Sequence, residues 1–186
     1  PQIKAFADKS NLHLRRTLKL DPVAEFFLYD IVYRHRSKFR KDFKDSRKSF
    51  GYQFSEGKVI SPSKSYSSFN KSVHEALGIY KYCAKFDIST YFNSIYHHDL
   101  IRWFNDIAET NEDAEMFDKF FKQINVGRSV DCLPHGIMPS KILGSHFLKF
   151  IDNSNQINCE LLLRYMDDFY LFSDNHEVLT HNFFFI

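Results

Sequence analysis

The sequence is poor in cysteine and has no long apolar run. Its three cysteines, Cys83, Cys132 and Cys159, are far apart, odd in number and include no C-x-x-C pair. That argues against a disulfide framework or a zinc site, and for reduced thiols in a cytoplasmic protein. No stretch of about 18 uncharged apolar residues occurs, so no membrane span is expected. The opening "PQIKAFADKSN" lacks the apolar centre of a signal peptide. No internal repeat, low-complexity tract or linker divides the chain. Its 186 residues suffice for one sizeable core, in one or two lobes.

Aromatic residues are plentiful, 21 of them Phe, which supplies material for that core. The net charge of +2 conceals an asymmetry. Residues 1–48 hold 13 Lys/Arg against 6 Asp/Glu, and residues 49–186 hold 12 against 17. The densest run, "RHRSKFRKDFKDSRK" from Arg34 to Lys48, has eight basic residues and two acids. A basic face beside an acidic remainder suits a polyanion on one side and metal ions on the other. A solvated helix face explains the run alone equally well.

Local patterns give an order of elements. "DPVAEFFLYDIVYRHR" opens with Asp21 as N-cap and Pro22 at the first helical position. Val23, Phe27 and Ile31 follow at helical spacing, predicting a helix that runs into the basic stretch and ends before Gly51. "SFGYQFSEGKVISPS" predicts a hairpin turning at Ser55-Glu56-Gly57, and "SSFNKSVHEALG" a helix capped by Gly78. "YKYCAKFDIS" reads as a strand ending at Asp87. Helices are expected over "HHDLIRWFNDIAE", "DAEMFDKFFKQIN" and "SKILGSHFLKFIDN". In the first of these, Leu100, Trp103, Phe104 and Ile107 share a face, and His97 and His98 are expected at the surface or cap. Two strands, "CELLLRYM" and "FYLFS", then flank a tight turn at Asp167-Asp168, and a further helix begins at Asp174. Strands separated by helices and closed by a hairpin predict an α+β fold, a sheet with helices packed on one face.

Three aspartates stand at strand ends: Asp87, Asp167 and Asp168. Should their strands be neighbours, the carboxylates converge at one sheet edge, an arrangement that costs several kcal/mol or raises a pKa unless a cation compensates. An all-oxygen donor set points to Mg²⁺, with Mn²⁺ as the other fit, rather than zinc. Two such ions form the apparatus of in-line phosphoryl transfer. A plain polar β-turn accounts for the Asp-Asp dipeptide but explains less well the apolar and aromatic residues on both sides of it.

"FDISTYFNSIYHHDL", then "LPHGIMPSKILGSHFL", then "YMDDFYLF" resemble the three successive palm motifs of reverse transcriptases. The likeness is good from Tyr80 to Asp174. Residues 1–79 match the fingers only loosely, by position, and residues 80–186 match the palm. The phrasing is most similar to bacterial defence-associated, abortive-infection enzymes, rather than to retroviral or group II intron ones. The resemblance implies a right-hand polymerase of fingers and palm that adds deoxynucleotides to a 3′-hydroxyl. Its partners would be a primer and template and dNTPs, in the cytoplasm, with a homo- or hetero-oligomer possible.

By that resemblance Asp87, Asp167 and, more weakly, Asp168 hold two Mg²⁺ ions, with the Ile88 carbonyl on the nucleotide-side metal. Phe92 falls at the aromatic gate that crowds a ribose 2′-OH. In the second motif His135 stands where many members carry Gln, and Lys141 where many carry Pro. Gly136 still permits close backbone approach, and Ser140 matches the motif's serine. Tyr165 and Met166 would line the primer end. Arg47 and Lys48 would meet nucleic acid, and Lys58 and Lys64, around the fingers hairpin, the triphosphate. Tyr91 and Ile95 are expected in the core.

The chain ends at Ile186, before the rest of the palm, the primer-grip turn and the thumb that such an enzyme would have. It begins with Pro and reads as a fingers–palm fragment with the thumb absent, whose activity alone is left open. Its apolar "THNFFFI" is expected to form an assembly surface. Three other readings stay open: untemplated or protein-primed DNA synthesis, an inactive palm serving as a nucleic-acid-binding or assembly module, and a two-metal nuclease.

Overall fold

A computed structural model describes residues 3–9, 13–125 and 133–186 of the chain, which leaves Cys132 outside the described residues. In order, the chain forms β1 (Ile3–Lys9), β2 (His13–Lys19), α1 (Pro22–Arg34), β3 (Phe43–Lys44), β4 (Arg47–Phe50), β5 (Phe54–Ser55) and β6 (Lys58–Val59). It continues with α2 (Pro62–Leu77), β7 (Tyr82–Asp87), α3 (Tyr91–Ser94), α4 (His97–Ile107) and α5 (Asn111–Ile124). The remaining elements are α6 (Met138–Phe147), α7 (Lys149–Asp152), β8 (Leu161–Tyr165), β9 (Asp168–Ser173) and α8 (His176–Phe185). They group into two compact units, Pro1–Lys38 with Thr90–Gly144, and Phe39–Ser89 with Ser145–Ile186. No helix among the described residues is long and apolar enough to cross a membrane.

The first unit holds the β1–β2 antiparallel hairpin and helices α1, α3, α4 and α5. Asp21 caps α1 as expected, accepting from the Val23 and Ala24 amides at 3.0 Å, a cap worth about 1 kcal/mol. The helix ends at Arg34, the first residue of the basic stretch it was predicted to run into. The His35 amide and ring Nδ1 both engage the Ile31 carbonyl and close the last turn. The next residues are drawn into tertiary pairing instead. Phe104 of α4 stacks on Phe117 of α5 with ring centroids 3.9 Å apart, and both are fully buried. On α4 the buried positions are His97, Leu100 and Phe104, so His97 is not at the surface. It lies beside the Asn125 amide, and burial lowers its pKa to about 4.

The second unit is built on a five-stranded sheet of order β3-β4-β8-β9-β7. Every pairing is antiparallel except β4 with β8, which makes the sheet mixed. Helices cover both of its faces, not one. On the first face, Phe69 and Ala76 of α2 pack on Phe50, Leu163 and Phe172, all buried, at roughly 1.5–3 kcal/mol per large side chain. On the other, Phe183 of α8 meets Phe86, which stacks on Phe169 at 5.3 Å, and Asp152 of α7 reaches Arg164. The small β5–β6 hairpin turns on Glu56 and Gly57, both at positive φ (51° and 75°), as a two-residue loop requires. The predicted helix over residues 140–153 breaks at Leu148 into α6 and α7. The turn between β8 and β9 is Met166-Asp167, one residue earlier than expected, with Asp168 already paired as strand.

Candidate active site

The central strands bring the motif aspartates to one end of the sheet. β7 and β9 run antiparallel with Asp87 directly opposite Asp168, so the two side chains leave the same face. Tyr165 flanks Asp168 from β8 on the other side. Asp167 occupies the turn, and its carbonyl accepts from the Ile88 amide at 3.3 Å, which fastens the turn to the end of β7. Residues far apart in sequence, Asp87 with Ile88 and Asp167 with Asp168, are therefore neighbours.

Like charges opposed across strands carry an electrostatic cost. Burial pushes the Asp168 carboxyl above its usual range, Asp87 pushes it further, and Lys85 pulls it back. Lys85 stands two residues before Asp87 on the same face. It is held by the Tyr170 hydroxyl, the largest of the influences that raise its own pKa. Tyr165 is half-buried against Tyr66 and Phe69, at 5.1 and 5.5 Å between ring centroids. Among the described residues no three His, Cys, Asp or Glu side chains close on one point. The donors at this edge are all oxygen, and Asp168 is destabilised as an anion by its carboxylate neighbour. Both features fit a hard divalent cation.

A sequence model of the family "Reverse transcriptase (RNA-dependent DNA polymerase)" matches residues 33–183, most of the chain. The chain belongs to the reverse transcriptase family. No curated protein gives a match. The α+β fold of fingers and palm accords with that membership.

The reverse transcriptase's second motif lies in the first unit, where the structure brings together two of the nucleotide-binding candidates. The Phe92 and His135 rings sit 4.9 Å apart. The Phe92 carbonyl accepts from the Leu133 amide at 3.1 Å, and the His135 carbonyl accepts from the Thr17 hydroxyl at 3.2 Å. Gly136 is exposed at φ 98°, with open space where a Cβ would stand. Among the described residues nothing crowds it, so its glycine answers to backbone conformation. Ser140 is fully buried, and its hydroxyl has no hydrogen-bond partner among the described residues. Tyr91 and Ile95 are buried, as expected of core residues.

Other candidates are not brought to the aspartates. Arg47 begins β4, opposite Leu162, about 10 Å along the sheet from the Phe50–Tyr165 end. Its guanidinium donates to the carbonyls of Ser46, Cys159 and Ile157 at 2.7, 3.0 and 2.7 Å. Lys48 is half-buried opposite Leu163. Lys58, on β6, and Lys64, in the first turn of α2, are exposed. Met166 faces inward: its side chain is buried, and a Cβ at Gly51 would come within 3.0 Å of its Sδ. Lys85, which by sequence either meets template phosphate or simply flanks its strand, acts on Asp168. Two residues not singled out in the sequence also shape these regions: Gly144 admits the Phe92 and Tyr91 rings, and Arg164 lies beneath the turn. The signal for Arg164 was present in "LLLRYMDD", where a charge interrupts an otherwise apolar strand.

Proposed function

We propose that residues 1–79 act as fingers and residues 80–186 as palm of an enzyme that adds deoxynucleotides to a 3′-hydroxyl. The observation that carries this reading is the antiparallel opposition of Asp87 and Asp168, with Asp167 in the turn fastened to Ile88. Asp87, Asp167 and the Ile88 carbonyl would hold divalent cations, two Mg²⁺ or in their place Mn²⁺, and Asp168 would act as a weaker ligand. Bound there, such ions lower the pKa of the attacking hydroxyl and neutralise charge on the phosphates. In the reaction the 3′-oxygen forms a bond to the α-phosphorus, the bond to pyrophosphate breaks, and the hydroxyl proton passes to solvent.

The chain's own groups supply orientation. Lys85 keeps Asp168 closer to its anionic form by partial compensation of Asp87. Phe92, braced by His135, would crowd a ribose 2′-OH and favour deoxynucleotides. His135, Gly136 and Ser140 belong to the nucleotide side by motif position, Ser140 from a buried place in α6. Lys58 and Lys64 would meet the triphosphate from solvent. Tyr165 would flank the primer end. The phrasing of the motifs supports a role in bacterial antiphage defence.

Primer extension by the intact protein with Mg²⁺, on RNA template, DNA template and no template, tests this reading. Asp167→Ala/Asp168→Ala should abolish incorporation, and persistence of incorporation would refute the site. Product in the no-template arm alone would establish untemplated or protein-primed synthesis, which the His135 departure favours. Nucleic-acid binding with no incorporation in any arm would make the palm a scaffold.

A further inference from the structure

Arg164 lies in β8, the strand that leads into the Met166-Asp167 turn, and none of it is exposed. A guanidinium cannot discharge itself by losing a proton, so a buried one must be fully engaged. Asp152 of α7, itself buried, accepts from Nε at 2.8 Å and from Nη2 in a bidentate pair. The remaining arm, Nη1, donates to the Met166 carbonyl at 2.7 Å.

That carbonyl belongs to the peptide plane joining Met166 to Asp167. Met166 stands at φ 58°, a left-handed conformation that a side-chain-bearing residue holds only when its surroundings impose it. Two neutral backbone bonds also touch the turn, Met166 amide to Phe50 carbonyl at 3.4 Å and Ile88 amide to Asp167 carbonyl at 3.3 Å. The Arg164 bond is shorter than either and charge-assisted, hence the stiffest of the three.

We infer that Arg164, locked by Asp152, is a positioning residue: it fixes the Met166–Asp167 peptide plane and thereby aims the Asp167 carboxylate at the divalent cation. This rests on the reading of Asp167 as a cation-holding group. Groups that orient a metal ligand without touching the metal commonly change affinity 10- to 100-fold when removed.

The decisive variant is Arg164→Met/Asp152→Leu. An apolar pair of similar volume often replaces a buried ion pair without loss of stability, but it cannot hold a carbonyl. Arg164→Lys is the second variant, since it keeps the charge and loses the fork. Three measurements apply to each: metal-free thermal unfolding, Mn²⁺ affinity by paramagnetic resonance without substrate, and the Mg²⁺ dependence of primer extension. The expected result is a cooperative unfolding transition, Mn²⁺ affinity at least about tenfold weaker, and a matching rise in the Mg²⁺ needed for half-maximal rate. The dNTP KM at saturating Mg²⁺ should hold within about threefold, because nucleotide contacts lie elsewhere. Mn²⁺ affinity within twofold of the parent in either folded variant overturns the inference. Asp167→Asn separates the two levels: if it leaves Mn²⁺ binding intact, the reading of Asp167 itself fails. If it weakens binding while the Arg164 variants do not, only the positioning role fails.

Discussion

Gly144→Ala sets two known effects against each other. Gly144 lies within α6, where alanine in place of glycine normally gains about 1 kcal/mol. A Cβ at this position would stand 3.0 Å from Phe92 Cε1, 3.3 Å from its Cζ and 3.3 Å from Tyr91 Cε1. Neither ring retreats freely. The Tyr91 hydroxyl donates to the Gly144 carbonyl at 2.7 Å inside the core, and Phe92 is braced by His135 at 4.9 Å. Overpacking of this kind costs about 1–3 kcal/mol, so it outweighs the helix gain and leaves a net loss of about 1 kcal/mol. For a chain of this length that lowers the unfolding midpoint by about 2–4 °C. Calorimetry on the single variant, on Phe92→Leu and on the double variant measures the coupling. We expect about 1 kcal/mol or more, with Gly144→Ala less harmful once the ring is gone. The ratio of ribonucleotide to deoxynucleotide incorporation should shift in Gly144→Ala while its Mg²⁺ dependence stays unchanged. A variant more stable than the parent by about 1 kcal/mol, with no coupling to Phe92, would refute the reasoning.

Three further outcomes follow from the same geometry. Asp168 has a raised folded pKa, so its ionised form is disfavoured in the fold, and the protein loses stability as pH rises through that pKa. Metal-free Asp168→Asn should therefore unfold at a higher temperature than the parent at neutral pH, and at an equal or lower one in acid. Lys85→Gln removes the cation that pulls the Asp168 pKa down, so the acid limb of Mn²⁺ binding should move to higher pH. A pH titration followed by paramagnetic resonance reads this directly, and an unmoved limb would mean that Lys85 is screened by solvent. Arg47→Met deletes three bonds to backbone carbonyls and should cost about 2 kcal/mol in urea unfolding without changing template affinity. The reverse pattern, weaker template binding at full stability, would return Arg47 to the nucleic-acid surface.

Local signals were legible where the chemistry is local. Asp21 before Pro22 gave the start of α1, and runs of apolar and aromatic residues gave β7, β8 and β9 with the aspartates at strand ends. Long-range pairing was not legible. β4 is four residues long, starts on the last two residues of a run dominated by charge, and finds its partner β8 more than a hundred positions away, Arg47 opposite Leu162. Nothing in "RHRSKFRKDFKDSRK" records that pairing, so helical continuation from α1 was the natural expectation. The same stretch shows why counting charges overstates a basic face. Arg34 is taken by Asp30 and Asp113, Lys44 by Asn153, and Arg47 by carbonyls. His97 was misplaced for a related reason: adjacent histidines look polar, yet a neutral ring beside Asn125 fills a core position on α4.

The segment Arg164–Asp168 holds features that a chain under no functional demand would be better without. Met166 in the left-handed region costs about 1–2 kcal/mol, and glycine there would remove that cost. The buried Arg164–Asp152 pair gives little or no net stability over leucines of similar volume. Asp168 opposite Asp87 is worse than asparagine there by the repulsion it brings. Each of the three has an easy structural remedy, and a hairpin tip that merely joined two strands would have no use for any of them. Their presence in one turn points to a term absent from the isolated chain, and the proposed cation would supply it. Such a cation would offset the repulsion directly and would make the aim of Asp167 worth the strain at Met166 and the burial of Arg164. The same reasoning sets the order of losses. Saturating Mg²⁺ should stabilise the parent most, the Arg164 variants less, and Asp87→Asn or Asp167→Asn least, with thermal unfolding as the only assay needed. Equal stabilisation across that set would leave the strain in the turn without a function.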